Sequence, residues 1–298
     1  MKKSHQVLVG RRSFLQMLGG SLGAAVALPV LGAPVLHAGR RPTVAERSRL
    51  PRRLERIGIQ LYTVRGLMER DADGTLRSLA RIGYGEVELA GLYGLSAREM
   101  RGILDRHQLA APSSHIGTAE MRGDWARTLA DAATLGQRYI TCAWIDESER
   151  TMDGYKRIAE LFNRSGQAAH AAGLQLCYHN HDFEFAPMGD VVPYDMLLAE
   201  CDQQLVKMEM DIYWVVKGGR DPLAYIARNP ARFPLVHVKD MDREGAMTDV
   251  GKGVIDFRAI FALSGRAGIS HYFVEHDNPP HPLESVKTSY DFLRRLEF

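Results

Sequence analysis

Four side chains of metal-ligating type are spaced along the second half of the chain: His179, Asp211, His237 and Glu275. Their separations of 32, 26 and 38 residues are each about one strand–helix unit. If each residue ends a strand of a parallel barrel, all four lie at the same end of that barrel. Two imidazoles and two carboxylates suit Mn²⁺, Co²⁺, Zn²⁺ or Fe²⁺ better than Mg²⁺.

The sequence therefore predicts one divalent metal site and leaves the identity of the metal open. His181 could take the place of His179, because alternate residues of an extended strand lie on one face. The alternative is that the four are unrelated polar strand ends that hydrogen-bond to loop backbones.

Such a site predicts proton transfer next to a carbonyl group. A metal that chelates a carbonyl oxygen and its neighbouring hydroxyl stabilises an enediolate and acidifies the intervening C–H. Glu275 is the first candidate base and His181 the second, with Glu88 as an opposing acid/base across the barrel mouth. Lys239 could hold a substrate oxygen or stabilise enolate charge. The alternatives are an ion pair of Glu88 with an arginine such as Arg65, a loop-anchoring His181 and a solvated Lys239.

Other residues near the predicted strand ends are expected to contact the substrate. His115 could bind a hydroxyl group, and His276 is placed in the same role. Trp214, together with Trp144, could form a platform on which a sugar stacks, or could serve packing alone. The segment 251–253, Gly-Lys-Gly, is a weak candidate for phosphate binding, because it has neither Walker spacing nor a clear helix start.

The elements that must position these residues alternate regularly. Eight short apolar or β-branched runs alternate with eight stretches of 3.6-residue periodicity. The predicted strands are 57–65, 85–91, 111–117, 139–145, 174–181, 207–214, 233–240 and 271–277. The predicted helices are 72–82, 97–107, 124–135, 154–172, 194–201, 222–229, 257–265 and 282–296. Eight such units predict an α/β fold, a single-domain (β/α)8 TIM barrel.

The charge of the chain is unevenly distributed. Residues 1–56 carry 11 Lys/Arg against 2 Asp/Glu, whereas residues 57–298 carry 27 against 34. The acidic body disfavours a nucleic-acid partner. The paired Arg11 and Arg12 precede a mildly apolar, glycine-interrupted run, which predicts a twin-arginine signal peptide over 1–38.

The resulting organisation is a signal peptide, a basic linker over 39–56 and a catalytic barrel over 57–298. We expect export to the periplasm, with no stable membrane partner once the signal is removed. The sequence does not indicate an oligomeric state.

The motifs at the strand ends carry a family resemblance. They are GEVELAG at 85–91, YHNH at 178–181, MDIYW at 210–214, HVKD at 237–240, VGKGVIDF at 250–257 and VEHD at 274–277. With them, residues 57–298 resemble the xylose-isomerase-like TIM-barrel family of sugar phosphate isomerases and epimerases. Asp211, His237 and Glu275 match the metal ligands of that family position by position. His179 stands where many epimerases have a glutamate, which argues against a symmetric two-carboxylate proton shuttle.

The resemblance implies a metal-dependent sugar isomerase or epimerase acting on a small sugar or sugar derivative. A lyase or hydrolase acting on 3-keto-glycosides through the same site is the alternative reaction. A non-catalytic sugar-binding barrel is the alternative of another class. The AP-endonuclease branch is poorly matched, because the additional His and Asp ligands of its zinc site have no counterparts here.

Overall fold

A computed structural model describes residues 52–298. Eight parallel strands form a closed barrel, and β1 completes it by pairing with both the second and the last barrel strand. The barrel strands are β1 Gly58–Gln60, β2 Glu86–Leu89, β3 Ala110–Gly117, β4 Tyr139–Trp144, β5 Gln175–His179, β6 Val206–Asp211, β7 Leu235–Val238 and β10 His271–Val274. The predicted (β/α)8 barrel is confirmed.

Helices follow the strands and cover the outside of the barrel. The α-helices are Arg65–Met68, Ala72–Ile82, Ala97–Arg106, Thr118–Arg122, Trp125–Leu135, Met152–Ala171, Pro193–Glu200, Ile212–Lys217, Pro222–Arg228, Phe257–Ala262, Ser264–Ala267 and Pro282–Leu293. Short 3₁₀ turns span Leu61–Val64, Glu147–Glu149 and Phe183–Phe185. None of the helices within residues 52–298 has the length and apolarity needed to cross a membrane.

Local signals explain where the helices begin and end. Ser96 and Glu99 form a capping box, in which each side chain bonds to the backbone N–H of the other residue. Such a box satisfies amide groups that the first turn of a helix leaves free. Gly136 and Gly268 end their helices in the left-handed conformation, which glycine adopts without a steric penalty.

Two of the predicted strands include residues that are helical in the structure. Residues 61–64 form a 3₁₀ turn rather than the end of β1, and Ile212–Lys217 is a helix rather than the end of β6. The helix begins at once because Asp211 caps it, its Oδ1 accepting from the backbone N–H of Trp214 at 3.0 Å. The loop after β7 also contains an antiparallel hairpin, β8 Asp240–Met241 and β9 Met247–Thr248, that the periodicity did not indicate.

The side chains inside the barrel change from apolar to polar along its axis. A small buried cluster of Cys177, Leu235 and Phe273 is packed against Tyr139. His237 pairs in register with Phe273 on one side and with Asp211 on the other. Polar and charged groups therefore occupy the barrel interior from the level of His237 to the carboxyl ends of the strands. Barrel enzymes place their chemistry at that end.

The predicted signal peptide, and residues 39–51 of the predicted linker, lie outside the described residues. The rest of that linker contacts the barrel domain. Arg52 exchanges two backbone hydrogen bonds with Phe298, at 2.9 and 3.0 Å. Its guanidinium also lies 5.1 Å from the centre of the Phe298 ring. The residues just before β1 are thus tied to the carboxyl terminus of the chain.

Candidate metal centre

The four predicted ligands converge on one point. His179 Nε2 lies 3.2 Å from Asp211 Oδ2, and His237 Nδ1 lies 3.7 Å from the same oxygen. Glu275 Oε2 is 2.8 Å from His237 Nδ1. One ligand atom from each of the four falls within 4.8 Å of all the others, and all four residues are buried. Ligands about 2.1 Å from a tetrahedral ion stand about 3.4 Å from one another, so the spacing fits a single cation.

The contacts of these buried polar atoms support that fit. His237 Nδ1 and Glu275 Oε2 are buried and face each other at 2.8 Å, and Lys239 Nζ lies at the same distance from that oxygen. His179 Nδ1, on the other side of its ring from the cluster, has no hydrogen-bond partner among residues 52–298. A divalent cation between His237 Nδ1 and Glu275 Oε2 would give both atoms a ligand bond in place of this contact. The residues present therefore fit a divalent cation.

Lys239 supplies positive charge to this cluster from within the barrel. Its Nζ lies 2.9 Å from Asp211 Oδ2, 2.8 Å from Glu275 Oε2 and 2.9 Å from Asp277 Oδ1. The side chain is only 2% exposed, so Lys239 is not a solvated lysine. The carboxylates outnumber this one ammonium, and further positive charge nearby, on His237 or on a bound cation, lowers the cost of burying Asp211 and Glu275.

A second polar layer lies directly beneath the ligands. His237 uses its other nitrogen there, with Nε2 2.7 Å from Glu88 Oε2 and 3.5 Å from Glu209 Oε2. Gln60 Nε2 donates to Glu88 Oε2 at 2.8 Å. His115 Nε2 lies 3.1 Å from Glu209 Oε2 and 3.2 Å from Glu88 Oε2. The two layers are joined through the imidazole of His237.

Burial and charge shift the pKa values within both layers. Burial lowers the pKa of His179 to about 4 and raises that of Glu209 to about 7, the second shift being reinforced by the charge of Glu88. Burial opposes protonation of His237 and His115 as well. Nevertheless, nearby carboxylates raise the pKa of His237 well above its ordinary value and that of His115 to about 9. Without a bound cation, the surroundings of both rings thus favour positive charge, and His237 must give up the proton on Nδ1 to hold one.

A cavity of about 550 Å³ opens above the ligand layer. His181 lies in its wall, where its ring stacks on Phe183 and meets Trp144 edge-on. Its Nδ1 has no hydrogen-bond partner among the described residues. The cavity is lined by Tyr62, His115, Ala143, Trp144, Arg150, His179, His181, Asp182, Phe183, Trp214, Lys239, Glu275 and Asp277. It therefore includes the predicted substrate contacts His115 and Trp214 and the predicted catalytic residues His181, Lys239 and Glu275.

Two of the residues that were predicted to act on or contact the substrate do not line this cavity. Glu88 was expected at the barrel mouth, but it is fully buried in the layer beneath His237. Its expected alternative partner, Arg65, instead bonds to the Asp277 carbonyl at 2.7 Å. His276 is turned away from the cavity, because successive side chains of an extended segment point to opposite sides and Glu275 takes the inner one. The backbone N–H of His276 donates to Thr63 Oγ1 at 3.0 Å.

Glu209, Asp277 and Arg150 are among the residues of the site that were not singled out from the sequence. Glu209 shares a strand face with Asp211 two residues later, so alternation along β6 was the available signal. Asp277 follows Glu275 with the same spacing and binds Lys239. Arg150 reaches the cavity from the loop after β4, and no motif marked it.

The glycine segment considered for phosphate binding has another role. The backbone N–H groups of Gly251 and Gly253 both donate to Asp240 Oδ2, at 2.9 and 3.0 Å. Asp240 Oδ1 accepts from Met241 at 2.8 Å and from Ile255 at 3.2 Å. A carboxylate of the chain itself therefore occupies the amide donors that a phosphate would need.

A (β/α)8 barrel with paired imidazoles and carboxylates at the carboxyl ends of its strands defines the chain as an enzyme. Residues 76–296 match the family model described as xylose isomerase-like TIM barrel, and the chain belongs to that family. Curated relatives include inosose dehydratases. That of Geobacillus kaustophilus is 24% identical over 272 residues, covering 75% of this chain and 87% of that protein. The match to the Clostridium beijerinckii protein is 28% identical, over 37% of this chain and 42% of that protein, less than half its length.

Solved structures share the fold. A sugar phosphate isomerase/epimerase from Parabacteroides distasonis is 26% identical with a TM-score of 0.72, covering 81% of this chain and 98% of that chain. The 3-keto-D-glucoside 4-epimerase of E. coli is 16% identical with a TM-score of 0.65, covering 81% and 99%. The IOLI protein, solved with a zinc atom, is 14% identical with a TM-score of 0.65, covering 79% and 95%. At these identities the last two show the common fold alone.

Proposed function

We propose that this enzyme transfers a proton at the carbon next to the carbonyl group of a keto-sugar, using a divalent cation held by His179, Asp211, His237 and Glu275. The convergence of these four side chains beneath an open cavity is the observation that carries the proposal. The names of the relatives, which include an epimerase of a keto-glucoside and inosose dehydratases, support a keto-sugar as substrate. A cation at this point would act as a Lewis acid on a carbonyl oxygen, which acidifies the adjacent C–H.

His181 is the base in this proposal. Its ring lies in the cavity wall between aromatic side chains, and burial lowers its pKa, so the imidazole is uncharged and carries a lone pair on one nitrogen. A general base must carry a free lone pair within reach of the proton that it removes. Glu275 meets that requirement less well, because its Oε2 already lies 2.8 Å from both His237 Nδ1 and Lys239 Nζ.

Lys239 stabilises the negative charge that develops on the substrate oxygen. Its Nζ lies within 3 Å of three carboxylate oxygens, so Lys239 acts through its charge rather than through a free N–H. The Trp214 ring, which lines the same cavity, has its centre 5.6 Å from Lys239 Nζ.

Elimination is the second candidate outcome of the same proton removal. It is favoured by the relatives named as dehydratases. Once a proton leaves the carbon next to a carbonyl, a substituent on the following carbon can depart with its bonding electrons. Proton return gives an isomer or an epimer, whereas departure of a glycosidic oxygen gives the lyase reaction. The products distinguish the two.

The test is hydrogen exchange in D₂O on a panel of keto-sugars, followed by NMR. The full-length protein is stripped with a chelator and reloaded separately with Mn²⁺, Co²⁺, Zn²⁺ or Fe²⁺. We expect exchange with reloaded protein and none with stripped protein. His181→Asn should reduce exchange by about 10²–10⁴-fold, the usual contribution of a general base, while the bound metal stays at one per chain. His170→Asn, at an exposed histidine outside the cavity, is the matched control.

Two results would contradict this proposal. Reloaded protein that binds keto-sugars but exchanges no hydrogen would indicate the non-catalytic sugar-binding barrel. Unchanged exchange in His181→Asn would remove His181 from the role of base and leave Glu275 as the next candidate.

We also propose that the chain is exported through the twin-arginine pathway, on the basis of Arg11 and Arg12. Replacing both by lysine should retain the full-length chain in the cytoplasmic fraction, whereas the unchanged chain should reach the periplasm. Equal distribution of the two forms would contradict export by this route.

A further inference from the structure

Two exposed aromatic rings stand at the cavity. Tyr62 is 43% exposed and Trp144 is 47% exposed, and both line the same opening. Among residues 52–298, the other exposed large apolar side chains are aliphatic and lie away from this cavity. Exposed apolar surface that is concentrated at a pocket marks a binding site rather than chance exposure.

Each ring is held by an arginine. The Arg65 guanidinium lies 4.0 Å from the centre of the Tyr62 ring and is itself fixed by Asn278 Oδ1 at 2.6 Å. The Arg150 guanidinium lies 4.4 Å from the centre of the Trp144 ring, and its Nε donates to the Ile145 carbonyl at 3.0 Å. A ring that is already fixed loses little conformational freedom when a ligand stacks on its open surface.

The positions of the rings around the barrel separate them from the chemical centre. Tyr62 follows β1 and Trp144 ends β4, with β2 and β3 between those strands. The metal-ligating residues come from β5, β6, β7 and the end of β10, on the remaining arc. Trp144 adjoins the proposed base, since the centres of its ring and the His181 ring are 4.9 Å apart. Both rings therefore lie beside the arc of the ligands and line the same cavity.

The size of the cavity permits such a substituent. Pockets of about 300–1,000 Å³ hold drug-sized ligands, and this one measures about 550 Å³. It has room for one sugar ring at the ligands and a second ring beside Trp144.

We propose that Trp144 and Tyr62 form a subsite for a ring attached to the reacting sugar, so that the substrate is a keto-glycoside whose leaving or spectator group is cyclic. This inference rests on the proposed function for the position of the reacting sugar. The recognised chemistry is a flat ring face, aromatic or sugar, that stacks on an aromatic side chain. The subsite thus selects against free keto-monosaccharides.

The experiment measures binding without turnover. Full-length protein loaded with Zn²⁺ is titrated by calorimetry with methyl glucoside, phenyl glucoside and a glucosyl-glucose disaccharide, none of which carries a reactive ketone. The unchanged protein should bind at least one ring-bearing ligand about 10-fold more tightly than the methyl compound, and the phenyl and disaccharide arms distinguish an aromatic ring from a sugar ring. Trp144→Ala should reduce that ratio to about one, Tyr62→Ala should reduce it in part, and Trp144→Phe should restore most of it.

Val254→Ala, which shortens an exposed side chain outside the cavity, is the control and should leave the ratio unchanged. A ratio near one in the unchanged protein, or an equal loss for all three ligands in Trp144→Ala, would overturn the subsite. These results are independent of hydrogen exchange. Ring preference without exchange would leave the subsite standing and remove the proposed function, whereas exchange on free keto-monosaccharides without ring preference would do the reverse.

Discussion

Replacement of Glu88 by glutamine tests whether the layer beneath the ligands controls the metal site. Glu88 Oε2 lies 2.7 Å from His237 Nε2, so a proton on that nitrogen leaves Nδ1 free to face a cation. Loss of such an outer partner typically lowers metal affinity by about 10–100-fold. Glu209 Oε2 lies 3.5 Å from the same Nε2 and can take over part of the interaction. We therefore expect Glu88→Gln to lower the affinity for the metal by about 10-fold, or ~1.4 kcal/mol of binding free energy.

The assay is competition for Zn²⁺ between the protein and a coloured chelator. Glu244→Gln, at an exposed loop position, provides the matched control for loss of one carboxylate. The melting temperature of metal-free Glu88→Gln should not fall by more than a few degrees, because the change also relieves repulsion between Glu88 and Glu209. Zn²⁺ affinity within twofold of the unchanged protein would refute the positioning role of Glu88. A large loss of metal-free stability would show that Glu88 serves the fold instead.

Three further predictions concern stability. A cation at 100 times its dissociation constant should raise the free energy of unfolding by about 2.7 kcal/mol, measured by denaturant titration, and a chelator should abolish the gain; an unchanged midpoint would argue against a site in the folded chain. Burial raises the pKa of Glu184 from 4.5 to about 7. Below pH 4.5 the folded and the unfolded chain both hold this proton, whereas between pH 4.5 and 7 only the folded chain does. The free energy of unfolding should therefore fall by about 3 kcal/mol as the pH rises from 4.5 to 7. Glu184→Gln should remove this component of the pH dependence, and an unaltered pH profile would contradict it. Gly251→Ala places a Cβ against the Phe292 ring at a φ of +89°, whereas the space around Gly94, where φ is also positive, is open. Gly251→Ala should therefore lower the free energy of unfolding by about 1–3 kcal/mol more than Gly94→Ala does, and equal losses would rule out the overlap.

Most of the fold was predictable from periodicity. The helix predicted over 72–82 is Ala72–Ile82 in the structure, because its apolar spacing and its flanking Asp71 cap and Gly83 are all local signals. Strand ends were less predictable. The run after β6 continues with Ile212 and Tyr213, whose types suit a strand, but the Asp211 cap starts a helix there.

The convergence of the four predicted ligands could be predicted from the sequence, whereas the depth of Glu88 in the barrel could not. The spacing of four ligands along successive units indicates that they share one end of the barrel, and the structure brings them together. The depth of Glu88 depends on how β2 is staggered against β1 and β3 in the closed barrel, which the sequence of one strand does not specify. Likewise, the choice between His276 and Asp277 depends on which side of the chain faces inward after β10 ends.

The four backbone amides gathered by Asp240 have a consequence for engineering. This one carboxylate, immediately after Lys239, joins the start of the β7 loop to amides 11, 13 and 15 residues later. Transplanting a loop from a relative into this position would have to bring its own acceptor or preserve Asp240 and both glycines. The loops that follow β1 and β4 have no such common anchor among the described contacts, and so offer the better starting points for changing what the barrel accepts.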